Sequence, residues 1–378
     1  MKSDIERLRA HAVSQTLFSP TTLKSAIDRL GFIQADPIRS PASAQDLILR
    51  HRVKGYRAGD LERRYSSLEI EEDFLYAYGF LPRPVRELLH PRSAVKLQGL
   101  ERKVLAAVRG DGPTRPRELE ARFGSERVVN DWGGISQATK IALERLHYQG
   151  LLRIARRESG LRIYEAAHAL AEPAPAEFRF RKLVLLVAEI LAPVPEKTLQ
   201  SVAARLRRPI PGIADHRVVI RELIRLGELE RRSVDGLSYL WPTSGSAAGL
   251  AAAGSASAGA ATETASEKIL KAPPRRVRFL APFDPLVWDR LRFEHLWQWP
   301  YRFEAYTPPA KRARGYYAMP LLWGDRVIGW ANASVAGGKL SVELGFVGGR
   351  PTGHDFREET EAEIARLSAF LSINRDAV

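Results

Sequence analysis

The chain has 378 residues, of which 45% are hydrophobic and 27% charged; that length predicts two or three domains at about 150 residues each, and that composition excludes a mainly disordered chain. Lys and Arg total 58 against 44 Asp and Glu, a formal charge of +14, which points to nucleic acid as a partner, with general solubility as the plain alternative. There is no cysteine, so disulfide frameworks, Cys-ligated zinc, iron–sulfur clusters and thiol catalysis are excluded.

The opening residues, Met1 to Arg7, lack an apolar segment, so no secretory signal is expected. The longest apolar stretch, Leu183 to Val194, is broken by Glu189 and Pro193 and falls short of the ~20 residues a membrane span needs. A cytoplasmic protein without a membrane partner is the expectation.

The segment up to about Pro91 reads as helical. Thr21 or Thr22 can cap a helix carrying Leu23, Ile27 and Leu30, closed by Gly31. Pro37 and Pro41 interrupt it, and a second helix is expected from Ser43 to Arg52, with Leu47 and Ile48 inward and Arg50 and Arg52 outward. Leu97 to Val108 has helical spacing, Pro116 can start a short helix through Leu119 and Phe123, and Ser136 can cap a longer one ending at Gly150. Two short strands follow around a Glu158-Ser159-Gly160 turn. Three helices and a hairpin is the order of a winged helix.

The order then repeats. Helices are expected over Lys182–Leu191, Lys197–Leu206 and His216–Leu226, followed by a hairpin with its turn at Asp235-Gly236. Thr243 to Ser266 is almost all Ala, Gly, Ser and Thr and reads as a flexible linker. After it, Met319–Leu322, Arg326–Asn332 and Lys339–Phe346 read as strands and Asp355–Leu371 as a helix. Trp288, Trp297, Trp299, Trp323 and Trp330 sit among apolar neighbours, as core residues do.

The fold class is thus mainly α with β-hairpin wings: tandem winged-helix domains plus a β-containing C-terminal region. The divisions fall at 1–95 (helical, winged-helix-like), 96–172 and 173–242 (winged helices), 243–272 (linker) and 273–378 (β-rich, with a terminal helix).

Familiar cofactor chemistry is missing: no phosphate-binding glycine loop, no Rossmann fingerprint, no His-Glu-x-x-His, and eight histidines without ligand spacing. No cofactor and no metal are expected. In Gly31-Phe32-Ile33-Gln34-Ala35-Asp36-Pro37, Pro37 biases Asp36 toward an extended conformation. Alternation then places Gln34 and Asp36 on one side and Ile33 and Ala35 on the other. An amide and a carboxylate together can hold a water and accept its proton; the plain reading of the same residues is a turn or a cap.

Several pieces carry a resemblance. The Gln34-Ala35-Asp36 tripeptide resembles the Gln–apolar–Asp motif of the winged-helix DNA glycosylases of the interstrand-crosslink-repair type (the YcaQ/AlkZ family), with a small residue in the middle. Trp132-Gly133-Gly134-Ile135-Ser136, Ala142 to Leu146 and the hairpin ending at Tyr164 resemble that family's central winged helix. Ala281 to Arg290 and Gly315 to Leu322, with Gly324-Asp325-Arg326 after them, are similar to its C-terminal blocks. The chain departs from the family at Phe74 to Pro82, where an aromatic–small–histidine element is replaced by a stretch without histidine. That departure leaves open another lesion preference or an inactive subfamily.

The resemblance implies a monofunctional DNA glycosylase that hydrolyses the N-glycosidic bond of N7-alkylated purines and unhooks crosslinks. It places the catalytic roles on Gln34 and Asp36, and it makes double-stranded DNA with alkylated bases the partner of a monomer. The expected DNA contacts are Arg39, Arg50, His51 and Arg52 beside the motif, Arg156, Arg157, Arg231 and Arg232 on the hairpins, and Lys311 and Arg312 in the C-terminal block. The alternative from another class is a non-catalytic winged-helix DNA-binding protein or transcriptional regulator, which would leave the Ser136–Gln149 helix exposed for recognition.

Overall fold

The computed structural model describes residues 3–129, 133–168, 172–213, 215–243 and 275–373. It is a mixed helix and sheet structure. Most of the Thr243–Ser266 segment, and Trp132, lie outside the described residues.

The N-terminal part begins with the helices Asp4–Thr16 and Leu23–Leu30. Thr22 caps the second one and Gly31 ends it in the left-handed region, at φ 67°. Gly31 turns the chain into a two-residue strand, Ile33–Gln34, which pairs with Phe80 and Gly79 of the strand Tyr78–Pro82. Ile70–Phe74 pairs along the other side of that strand. This three-stranded sheet corrects the expectation of an all-helical N-terminus. The helix Ala44–Leu49 follows the motif, shorter than expected, with Arg50 and Arg52 beyond its end and turned inward.

Residues 99–166 form the helices Gly99–Asp111, Pro116–Phe123 and Ala138–Tyr148, then the hairpin Leu152–Glu158 with Leu161–Ala166. Ser136 is not a helix cap; it sits in a short strand, Ile135–Gln137, paired with Arg127–Val129. Residues 176–242 form the helices Ala176–Ile190, Glu196–Arg207 and His216–Arg225, then the hairpin Leu229–Val234 with Leu237–Pro242. Val194–Pro195 adds a third strand to this hairpin.

The C-terminal part is a four-stranded antiparallel sheet in chain order: Val277–Phe279, Met319–Trp323, Arg326–Ala336 and Lys339–Phe346. The short helices Pro285–Trp288 and Arg290–Trp297 leave it, and the helix His354–Phe370 packs back on it. The apolar cores do not follow chain order. One core joins Ile27 and Leu47 to Leu143 and Leu146 and to Phe279, Met319 and Phe356. A second joins Phe32 and Leu81 to Leu183, Val187 and Leu199. The N-terminal segment therefore touches every later part, and the parts bury one another's apolar faces.

Candidate active site

Ile33 is fully buried, and Ala35 packs against the same core cluster. Gln34 and Asp36 are half-buried. The ladder continues one residue past the strand, because the Ala35 amide donates to the Tyr78 carbonyl at 2.9 Å. Gly79, opposite Gln34, has to be glycine: a Cβ there would lie 2.2 Å from the Ile33 carbonyl oxygen.

Gln34 opens into a cleft of about 140 Å³. Its other walls are Pro282, Phe283, Val287, Trp288, Arg290, Tyr301 and Phe303. All of these come from the C-terminal part. The Gln34 Oε1 atom is buried and accepts no hydrogen bond among the described residues. Asp36 Oδ1 accepts from the Ile38 amide at 2.9 Å, the signature of an Asx turn. Burial pushes the Asp36 carboxyl above the usual carboxylate range, and the Ile38 amide opposes this only in part. Its charge acts on Tyr306 and Tyr317.

The wall is fixed by buried charge. Arg52 is 0% exposed and holds Asp284 through Nη1 at 2.8 Å and Nη2 at 3.0 Å. Asp284 in turn caps Pro285–Trp288 by accepting from the Leu286 amide at 3.0 Å. Arg292, also buried, donates to the carbonyls of Leu191 and Pro285. Arg50 donates to Glu363 at 2.6 Å and to the Phe279 carbonyl at 2.9 Å. The His51 ring lies 3.0 Å from that same carbonyl, and burial and Arg50 hold its pKa well below the usual histidine range.

Three expected DNA contacts are thereby corrected. Arg50, His51 and Arg52 do not face solvent as a phosphate-binding patch; Arg50 and Arg52 clamp the C-terminal wall against the motif, and His51 is neutral beside them. Arg157 is corrected as well. It reaches the fully buried Glu72 through Nε at 2.7 Å and Nη2 at 2.6 Å, docking the hairpin on the N-terminal sheet. The other expected contacts lie at the surface. Arg156 pairs with Glu158 and Arg231 with Glu196. Arg39 is exposed against the Gly160 turn, and Arg232 and Lys311 are exposed. Arg312 is half-buried, bonded to the Thr307 carbonyl, with its guanidinium over the Tyr316 ring.

The sequence reading missed the cleft wall. Trp297 and Trp299 are core, as expected, but Trp288 lines the cleft. Arg290 is exposed at the rim and forms no ion pair among the described residues. The signal was present in the block Ala281–Arg290, whose Phe-Asp-Pro caps a helix and turns an aromatic residue outward on each side. The family-departing stretch 74–82 supplies the strand beneath Gln34, and Tyr76 packs edge-on against Phe32 at 4.8 Å and tilted against Trp288 at 4.6 Å. A second hollow of about 160 Å³ lies between Phe74, Tyr148 and Ile210. Its charged residues are Arg92 and Arg205, and among the described residues no side-chain amide lines it, unlike the cleft at Gln34. The Ala138–Tyr148 helix buries Ile141, Ala142, Leu143 and Leu146 and exposes Lys140, Glu144 and Arg145, a mixed face unlike that of a basic recognition helix.

Among the described residues no helix is long and apolar enough to cross a membrane, and no cluster of His, Asp and Glu could hold a metal ion. Comparison with known proteins places the chain in a family. The Streptomyces sahachiroi DNA glycosylase AlkZ has a similar fold, with a TM-score of 0.63 at 15% identity over 99% of this chain and 98% of that one. A family model described as DNA glycosylase AlkZ-like matches residues 27–370, a span that runs from the helix before Gln34 to the end of the last helix. The chain belongs to the AlkZ-like DNA glycosylase family, enzymes of DNA repair.

Proposed function

We propose that this glycosylase hydrolyses the N-glycosidic bond of N7-alkylated purines, unhooks crosslinks made through that position, and uses Gln34 and Asp36 to do so. The observation that carries this reading is the unsatisfied Gln34 amide oxygen in an aromatic cleft, two residues along the chain from the half-buried carboxylate of Asp36. An N7-alkylguanine is already cationic, so it departs without a protein acid. What remains is to stabilise the electron-poor sugar and to direct water at C1′. Asp36 does the first by charge and the second by accepting a proton. Gln34 holds the same water from the other side. Phe283, Trp288 and Phe303 offer apolar faces to a base taken out of the stack. No lysine lines the cleft, which supports hydrolysis to an abasic site without a Schiff-base step.

The tandem three-helix-plus-hairpin units act as winged helices that hold the duplex for a monomer working in the cytoplasm. Arg39 and the Gly160 turn beside it, Arg156, Arg231, Arg232, Lys311, Arg312 and the rim residue Arg290 are the phosphate contacts. The five divisions of the chain, at 95, 172, 242 and 272, serve as the units of this clamp.

The test is base release from a duplex carrying one N7-methylguanine, read as alkali-labile strand cleavage. Wild type is expected to cleave. Asp36→Asn should lower the single-turnover rate by about 10²–10⁴-fold, and Gln34→Ala by roughly fivefold, the worth of one hydrogen bond of about 1 kcal/mol. No release from this lesion, from a bulkier N7 adduct or from a crosslink would overturn the substrate assignment.

A further inference from the structure

Tyr306 is the most exposed large hydrophobic side chain among the described residues, at 77%. A lone exposed tyrosine is ordinary, but Tyr306 differs in what it adjoins and in how it is held. Its ring meets Phe303 edge-on, with 6.0 Å between centroids, and Phe303 is a wall of the Gln34 cleft. Phe303 in turn packs edge-on against Phe283, a second wall, at 5.0 Å. An aromatic run therefore leads from the cleft wall out to solvent and ends in Tyr306.

The backbone that carries this ring is stiff. The carbonyls on either side of it, those of Ala305 and Thr307, both accept from the Arg312 guanidinium, at 3.5 and 2.8 Å. The Thr307 amide donates to the Glu304 carbonyl at 2.9 Å. The buried Glu304 carboxylate accepts from the amides of Arg314 at 2.8 Å and Gly315 at 3.3 Å, which closes the loop at its base. Pro308 and Pro309 follow with restricted φ. Tyr316, the other exposed tyrosine of the loop, is already covered: the Arg312 guanidinium lies 5.0 Å from its ring centroid. Phe303 is the one aromatic neighbour of Tyr306 among the described residues.

A base that leaves the stack for a cleft opens a gap in the duplex, and its neighbours lose the stacking they had with it. An aromatic ring on a preorganised loop can fill that gap with little ordering cost. Stacking of this kind tolerates any sequence, because every base has a π face. Lys311 and Arg312 bring positive charge to the same loop for the flanking phosphates.

We propose that Tyr306 is the stacking residue of this enzyme: it enters the duplex where the target base has left, stacks on the neighbouring bases and keeps the gap from closing. The proposal rests on the reading that the base leaves the stack for the Gln34 cleft. Tyr306 takes no part in breaking the bond; it is a positioning residue.

The experiment compares, at one salt concentration, affinity for a duplex with a stable tetrahydrofuran abasic site and for the same duplex intact. The proteins are wild type, Tyr306→Ala, Tyr306→Phe and Lys311→Ala, with Tm for each. Wild type should prefer the abasic duplex. Tyr306→Ala should lose about tenfold of that preference, with Tm and affinity for the intact duplex unchanged, and Tyr306→Phe should restore it. Lys311→Ala should weaken both duplexes alike, as loss of a phosphate contact does. An unchanged preference in Tyr306→Ala, or equal weakening of both duplexes, would overturn the role of Tyr306 alone. A wild type indifferent to the abasic site would overturn both that role and the departure of the base from the stack. If wild type releases no base from N7-methylguanine duplex, yet Tyr306→Ala loses the preference, the substrate reading falls and Tyr306 stays in place.

Discussion

Burial raises the pKa of Asp36, so the folded protein holds this proton more tightly than the unfolded chain does. Between the two pKa values the folded state binds more protons, and stability falls as pH rises through that window. Asp36→Asn should therefore have a Tm at least equal to wild type at neutral pH, with the difference closing at acid pH, while activity is lost. A calorimetric scan at two pH values checks both signs, and a clearly lower Tm at pH 7 would contradict them. Arg52 behaves in the opposite sense. Its loss leaves Asp284 buried without a partner, so Arg52→Ala should cost about 3–5 kcal/mol, read by urea unfolding. Gln34 and Asp36 were legible because alternation beside a helix end is a local property. Arg50 and Arg52 were not: their carboxylate partners lie 313 and 232 positions away, and a basic residue after a helix looks solvated until its partner is known.

At the scale of elements, the strand Ile70–Phe74 gathers the buried acids Glu71, Glu72 and Asp73. Arg153 takes Glu71, Arg157 takes Glu72, and Arg92 and His90 take Asp73. The charge of Arg92 and the hydrogen bond to His90 hold the Asp73 carboxyl far below the usual range despite burial. Nearby, burial pushes His147 down to about 4. The same holds for His11 at the other end of the molecule, also at about 4. These histidines are neutral when folded and charge when unfolded, so the stability they permit is lost as pH falls from about 6.5. Asp73 adds a loss at still lower pH, as its carboxylate is protonated. The unfolding free energy should thus decline steadily below pH 6.5; a flat profile between pH 7 and 5 would contradict the burial of these rings. Three acids in a row are poor strand formers and read as a solvated run, and the turn at Leu75-Tyr76-Ala77 has no Gly, Asn or Asp to announce it. The helices and later hairpins were legible because their caps and turns carry such residues, at Thr22, Gly31, Ser159-Gly160 and Asp235-Gly236.

For the whole molecule, the charge of +14 is divided between clamps inside and contacts outside. Only the outside share releases counterions from DNA. Replacing Arg39 or Lys311 by alanine should lower the slope of log affinity against log salt by about one each and leave the glycosylase rate at saturating DNA intact. Arg156→Ala tests a paired surface arginine and should change stability by less than about 1 kcal/mol. The repeat of three helices and a hairpin could be read from period and punctuation alone. The docking of those units could not, because each apolar face fits several partners and sequence separation says nothing about which one it meets.

The motif lies in the first tenth of the chain, and the wall opposite it in the last third. A ribosome that has made Gln34 and Asp36 must add some 270 further residues, Phe283, Arg290 and Phe303 among them, before the cleft closes. Every unfinished or proteolysed chain ending ahead of Val277 thus carries Gln34 and Asp36 without the C-terminal wall of the cleft. Synthesis itself then acts as a safety catch. An enzyme that cuts bases from DNA has its cleft only once the C-terminal wall has been made.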